Sequence, residues 1–146
     1  MLFRSGGIIY RIAYQGASEE VEVSAAAEVR SVQATGNSNA YSFSVEVSSP
    51  DTGCDQYADW WEVVSESEEL IYRRTLLHSH VGEQPFVRSG GPVGIEADTV
   101  VIVRAHMYPG GYGTQSLKGS VADGFEPWTP PEGFAADLEQ IGRAHV

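Results

Sequence analysis

From 41 to 48 the chain alternates without a miss. Tyr41, Phe43, Val45 and Val47 are apolar, and Ser42, Ser44, Glu46 and Ser48 are polar. A period of two belongs to an extended strand whose successive side chains point to opposite faces, so one face enters a core and the other meets water. Weaker versions of the pattern recur along the chain. Val29 to Ala34 reads as a first strand, closed by the turn residues Gly36-Asn37-Ser38-Asn39. Residues 58–65 carry Trp60, Trp61, Val63 and Val64. A polar turn follows, Ser65-Glu66-Ser67-Glu68-Glu69, and 70–77 returns as a hairpin partner. Ser89-Gly90-Gly91-Pro92 reads as a break. Thr99-Val100-Val101-Ile102-Val103 is β-branched throughout and predicts a central strand. Pro109-Gly110-Gly111-Tyr112-Gly113 predicts a turn, and 116–121 the last strand. No segment carries a long helical period.

About seven short strands with turn signals between them predict an all-β fold, a β-sandwich over 29–122. Its expected core is Phe43, Val45, Val47, one of Trp60 and Trp61, Val63, Leu70, Tyr72, Val101, Val103 and Leu117. Irregular extensions flank it. GIIYRIAYQ at 7–15 reads as a strand or the end of an upstream domain, the small and acidic residues 16–28 as linker or a poorly packed first strand, and 123–146 as a tail rich in Pro and Gly.

A Trp on the third strand, then Asp98-Thr99-Val100-Val101-Ile102-Val103-Arg104-Ala105, a Gly-rich turn and a final strand resemble the latter half of fibronectin type III and immunoglobulin-like domains. The chain departs from that pattern in two places. It has no paired cysteines, and Val101 stands about where many such domains carry a Tyr. The resemblance implies a seven-stranded sandwich used for binding, adhesion or spacing. The chain also resembles exported bacterial proteins. Its two ends, MLFRS and IGRAHV, resemble translated sequencing adapter, since their back-translations match the two ends of one adapter read on opposite strands. On that expectation the native part is about 6–139 of a longer reading frame.

Charge narrows the partners. The net charge is −11, which disfavours nucleic acid, whose phosphates require Lys and Arg, and anionic membrane surfaces. No apolar run is long enough to span a bilayer, so no membrane insertion is expected. A soluble protein that is exported (periplasmic, cell-surface or secreted) or salt-adapted fits this charge. Cys54 is the only cysteine, which excludes an internal disulfide.

The candidate chemistry collects at one pole. His78 and His80 stand two apart in an extended segment and share a face. An antiparallel sandwich returns them to the level of Asp59, and brings His106 there from the end of its strand. The loop with Cys54 and Asp55 and the Gly-rich turn with Tyr108 and Tyr112 complete the rim. Asp55, Asp59, Tyr108 and Tyr112 are therefore candidate ligand-binding residues for a protein, glycan or small molecule. Imidazoles with a thiolate or carboxylate suit Zn or Cu, so His78, His80, His106 and Cys54 are the candidate metal ligands of an alternative reading. The competing structural reading has the histidines merely ending strands. Of the adjacent indoles at 60 and 61, one faces the core and one faces outward, where Arg73 or Arg74 can cover it. Catalysis has little support. There is no Gly-x-Ser-x-Gly elbow, no cofactor signature, and the glycines at 110, 111 and 113 open no helix that would cradle phosphate. The expectation is a non-catalytic extracytoplasmic binding, adhesion or accessory module without a cofactor.

Overall fold

Two antiparallel sheets form the molecule. The computed structural model describes residues 26–143. The first sheet contains β1 (Glu28–Asn37), β2 (Ala40–Ser48) and β5 (Phe86–Val93), in the order β1-β2-β5. The second contains β3 (Tyr57–Ser65), β4 (Leu70–Thr75), β6 (Val101–Tyr108), β7 (Gly111–Tyr112), β8 (Ser116–Ser120) and β9 (Gly124–Trp128). It runs β9-β8-β6-β3-β4, and the short β7 also pairs with β6. A 3-10 turn (Ala136–Leu138) and a single helical turn, α1 (Glu139–Arg143), follow. The β-sandwich expected from the alternation is therefore present.

Local chemistry explains the elements. β1 and β2 pair up to Asn37 opposite Ala40. Asn39 takes the left-handed conformation (φ 68°) in the two-residue turn between them, as hairpin turns require. The strict alternation of β2 puts Tyr41, Phe43, Val45 and Val47 inside. β6 is central in its sheet and buried on both faces from Val101 to Met107, which is why Val101, Ile102 and Val103 run apolar without alternating, while Arg104 and His106 are buried polar residues of the outer face. Its inner face adds Val101, Val103, Ala105 and Met107 to the core, beside Trp61 and Val63 of β3.

Most of the expected core is buried. Leu70 and Tyr72 are only partly so, because β4 is the sheet edge; Tyr72 packs against the main core and Leu70 against a second cluster on the far face. The expected break at 89–92 is the middle of β5, where Phe43 pairs with Gly90 and Tyr41 with Val93 across a bulge. The glycines serve close approach. A Cβ on Gly90 would lie 2.7 Å from the Tyr72 hydroxyl, and one on Gly91 (φ 151°) 2.7 Å from the Tyr41 carbonyl. Gly90 leaves room for the Tyr72 side chain of β4, and Gly91 lets the bulged strand approach the backbone of β2.

The segment 123–139, read from the sequence as tail, contributes a strand and a strap. β9 pairs with β8 from Gly124 to Trp128. Phe134, Ala135 and Leu138 then pack with Val64 and Leu70. The expectations for 1–25 and 144–146 lie outside the described residues.

Candidate functional site

A bulge on β3 determines which side chains reach the outer face of the large sheet. Ala58 pairs with Met107 and Trp60 with His106, so Asp59 is the extra residue. Such a bulge re-aims side chains, and here the Asp59 carboxylate meets His106 Nδ1 at 2.6 Å. The other ring nitrogen, Nε2, lies 2.7 Å from Glu139 Oε2. Trp60 stacks flat on the imidazole, 3.8 Å between centroids and 4° from parallel, and Arg73 lies 4.0 Å over the Trp60 ring. Trp60 is thus the outward indole, covered as a cation–π contact would cover it.

Two residues along β3 from Trp60, on the same face, lies Glu62, with no exposed surface. It stands opposite Arg73 on β4 and Arg104 on β6. One oxygen accepts from Arg73 Nε at 2.7 Å, and the other from Arg104 Nε and Nη2, each at 2.8 Å. The strap caps what remains. Arg104 donates to the carbonyls of Phe134 and Ala135, and Arg73 to that of Leu138. Arg104 also lies 3.5 Å over Tyr112. Burial, reinforced by the Glu62 charge, pushes the Tyr112 phenol well up. In this network Arg73 Nη1 and the Tyr112 hydroxyl are buried without a hydrogen-bond partner.

A second polar cluster sits at the end of the core. Asp51, its side chain fully buried, accepts from the Ser49 hydroxyl at 2.6 Å and from the backbone N–H groups of Ala58 and His80 at 3.1 and 2.7 Å. Gln84 completes the joint by donating to the His80 carbonyl and accepting from Ser49 N–H. The His80 ring lies flat on Phe86, with 3.9 Å between centroids. It is 5 % exposed, and neither of its nitrogens has a hydrogen-bond partner. Asp51 Oδ2 stands 3.8 Å from Nδ1, too far for a hydrogen bond. Burial holds the imidazole below its ordinary value, and Arg88 adds to that. Asp51 and Glu83 oppose the shift, and His78 adds slightly to it.

His80 also lines a small cavity of about 100 Å³ with Arg74, Leu76, Leu77, His78 and Arg88. Its walls come from β4 and β5, the edges of the two sheets, and from the loop after β4.

The residues expected at the pole divide between these clusters. His78, exposed, stays near His80, their ring centroids 5.5 Å apart. His106 reaches the level of Asp59, as the antiparallel pairing implies, but it lies on the outer face while His80 packs on Phe86 of the inner core. The expectation that the three histidines share one pole treats height along the sheet and ignores the face. Among the described residues, no three His, Cys, Asp or Glu side chains are grouped to hold a metal ion. Cys54 and Asp55 are exposed in the turn bridged by Gly53 and Gln56. Tyr108 is exposed and pairs with Tyr57, and half-buried Tyr112 joins the outer network.

Sequence reasoning passed over Glu62, Arg104 and Arg88. The signal for the first two was present. A Glu and two Arg residues occupy facing positions on three neighbouring strands, and register alone pairs them.

Comparison with known proteins adds one relative. Over 78 residues, 53 % of this chain, the sequence is 42 % identical to a protein of Halomicrobium mukohataei named "Putative lipoprotein". The match spans 38 % of that protein's length. No family model matches the chain, and no solved structure matches it.

Proposed function

We propose that the chain forms a non-catalytic, extracytoplasmic binding or accessory domain of a longer, lipid-anchored protein. The observation that carries this reading is the 42 % identity to a protein named as a lipoprotein, of which the match takes up only 38 %. The sandwich architecture, of a kind widely used for adhesion and spacing, is compatible with it but weaker as an argument. The site chemistry points the same way. On the outer face, Glu62 and the Arg73 and Arg104 guanidinium groups bind one another, and both His106 nitrogens are held by carboxylates. These groups brace the sheet. Buried polar groups without partners remain in both clusters: the His80 ring in one, Arg73 Nη1 and the Tyr112 hydroxyl in the other. No helix of the described residues is long and apolar enough to cross a membrane; the lipid anchor of this reading comes from the name of the relative alone.

Localisation in the source cells tests the proposal. The native gene product is expected in the membrane fraction, released by detergent, and cut by protease added outside intact cells. A product found in the soluble cytoplasm and shielded from external protease overturns it.

A further inference from the structure

β1 and β5 are the edges of the first sheet, and β4 and β9 run along the edges of the second. Three of these strands are blunted. On β5, Pro92 has no N–H to offer, Arg88 Nη1 takes the Val87 carbonyl at 2.7 Å, and Arg74 Nε takes that of Ser89 at 2.8 Å. On β4, Arg74 Nη1 takes the Thr75 carbonyl at 2.6 Å. β9 is five residues long and holds Glu126 and Pro127. Charge, proline, bulges and short length keep an edge from recruiting another strand. β1 has such protection only at its start. There Gln115 bonds the N–H and the carbonyl of Val29, and Arg30 sits in a bulge. From Ser31 to Asn37 the strand has no charge, no proline and no bulge. Among the described residues, β2 alone bonds the backbone of this stretch. On its inner side, Val32 and Ala34 of β1 and Phe125 of β9 are only half-buried. A further strand laid here would cover apolar surface as well as bare backbone.

We propose that the chain's own residues 8–14 dock on this edge and complete the first sheet as a fourth strand. The sequence fits the place. Ile8, Tyr10, Ile12 and Tyr14 alternate with Ile9, Arg11 and Ala13, the period of a strand with one wholly apolar face. That face rests on Val32, Ala34 and Phe125. The connection fits too. The described chain begins at Ala26, just before the bare edge, and the small, acidic residues 15–27 give it slack to turn back. A second copy of the chain is the rival occupant. Two molecules of net charge −11 repel each other, whereas a tethered segment acts at an effective concentration on the order of mM. The docked strand is separate from the localisation and binding readings above, and it stands or falls without them.

The test is NMR on the full 146-residue chain. Nuclear Overhauser contacts are expected between backbone hydrogens of 8–14 and of 31–37, and their absence overturns the proposal. Amide exchange gives the second readout. The amides of 31–37 that point away from β2 should exchange about tenfold or more slowly than in an open edge, the factor that one net hydrogen bond supplies. Removal of residues 1–15 should abolish that protection while the amides of β6 keep theirs. Ile12→Pro takes away a ladder N–H in the intact chain and should act in the same way. Ile12→Ser, on the apolar face, should weaken the protection, and Arg11→Ser, on the other face, should leave it unchanged. Fast exchange in the full chain, protection that survives Ile12→Pro, or equal effects of the two Ser variants overturns the proposal. Protection that grows with protein concentration assigns the edge to a second copy and overturns it as well.

Discussion

Two buried polar clusters lie within one small sandwich, and they differ in how their donors are matched. On the outer face of the large sheet, Glu62 has both oxygens occupied by Arg73 and Arg104, and three strap carbonyls take guanidinium hydrogens. At the end of the core, Asp51 is as well bonded as Glu62, but the His80 ring beside it has no partner on either nitrogen. Burying a bonded ion pair is close to neutral, whereas leaving a polar group bare costs about 1–3 kcal/mol. The first cluster closes its ion pairs but still leaves Arg73 Nη1, the Trp60 indole N–H and the Tyr112 hydroxyl bare. The two clusters therefore differ in where the cost falls: at the margin of a satisfied charge pair in one, on both nitrogens of a single ring in the other. Burial alone would not separate them, since Glu62 and His80 are both inside.

The sharpest way to break the comparison is Glu62→Ala. It strands two guanidinium groups, and a buried pair that loses one partner costs about 3–5 kcal/mol. The expected result is a large fall in the urea midpoint, or no folded protein. A loss below about 1 kcal/mol would mean that water reaches the network. Next comes Asp51→Ala, which leaves the N–H groups of Ala58 and His80 bare and should cost about 2–3 kcal/mol in the same measurement. His80→Phe should behave oppositely. It keeps the stack on Phe86 and removes two unsatisfied nitrogens, so stability should be unchanged or rise by up to about 1 kcal/mol. A drop of the Asp51→Ala size would show that the ring is hydrogen-bonded after all.

The smallest effect is a pH trend. Folded His80 titrates below its ordinary value of 6.5, so below that pH the unfolded chain takes up a proton that the native ring refuses. Stability should decline as pH falls from about 6.5 to the native value, and level off beneath it. In His80→Phe this part of the decline should vanish. An unchanged profile would mean that the ring is not desolvated in solution.

Much of the fold was legible. Strict alternation in β2 and the apolar run of β6 reveal what each face meets. What escaped notice depends on a second element. Gly90 and Gly91 resemble a turn until Tyr72 is known to lie on the first and the Tyr41 backbone on the second, and nothing local tells a wet outer face from one covered by 134–138. The same blindness to faces put His106 with His80: His106 alternates with Ala105 and Met107 of the core and so faces outward, and the bulge re-aims only Asp59 of the neighbouring strand. The Glu62, Arg73 and Arg104 set was readable from register, and the bonds of Asp51 were not, since they run to the Ser49 hydroxyl and to the backbone N–H groups of Ala58 and His80, the last 29 residues away.

The strap also bears on how the molecule comes apart. Its carbonyls terminate both arginines that hold Glu62, so the last turn cannot lift off without uncovering charged groups beneath the sheet. Surface segments often open independently of the sheet they cover. Here the amide hydrogens of Ala136 and Leu138, bonded to Gly133 and Ala135, should exchange with solvent nearly as slowly as those of β3. The strap and the middle of the sheet would then open as one cooperative unit.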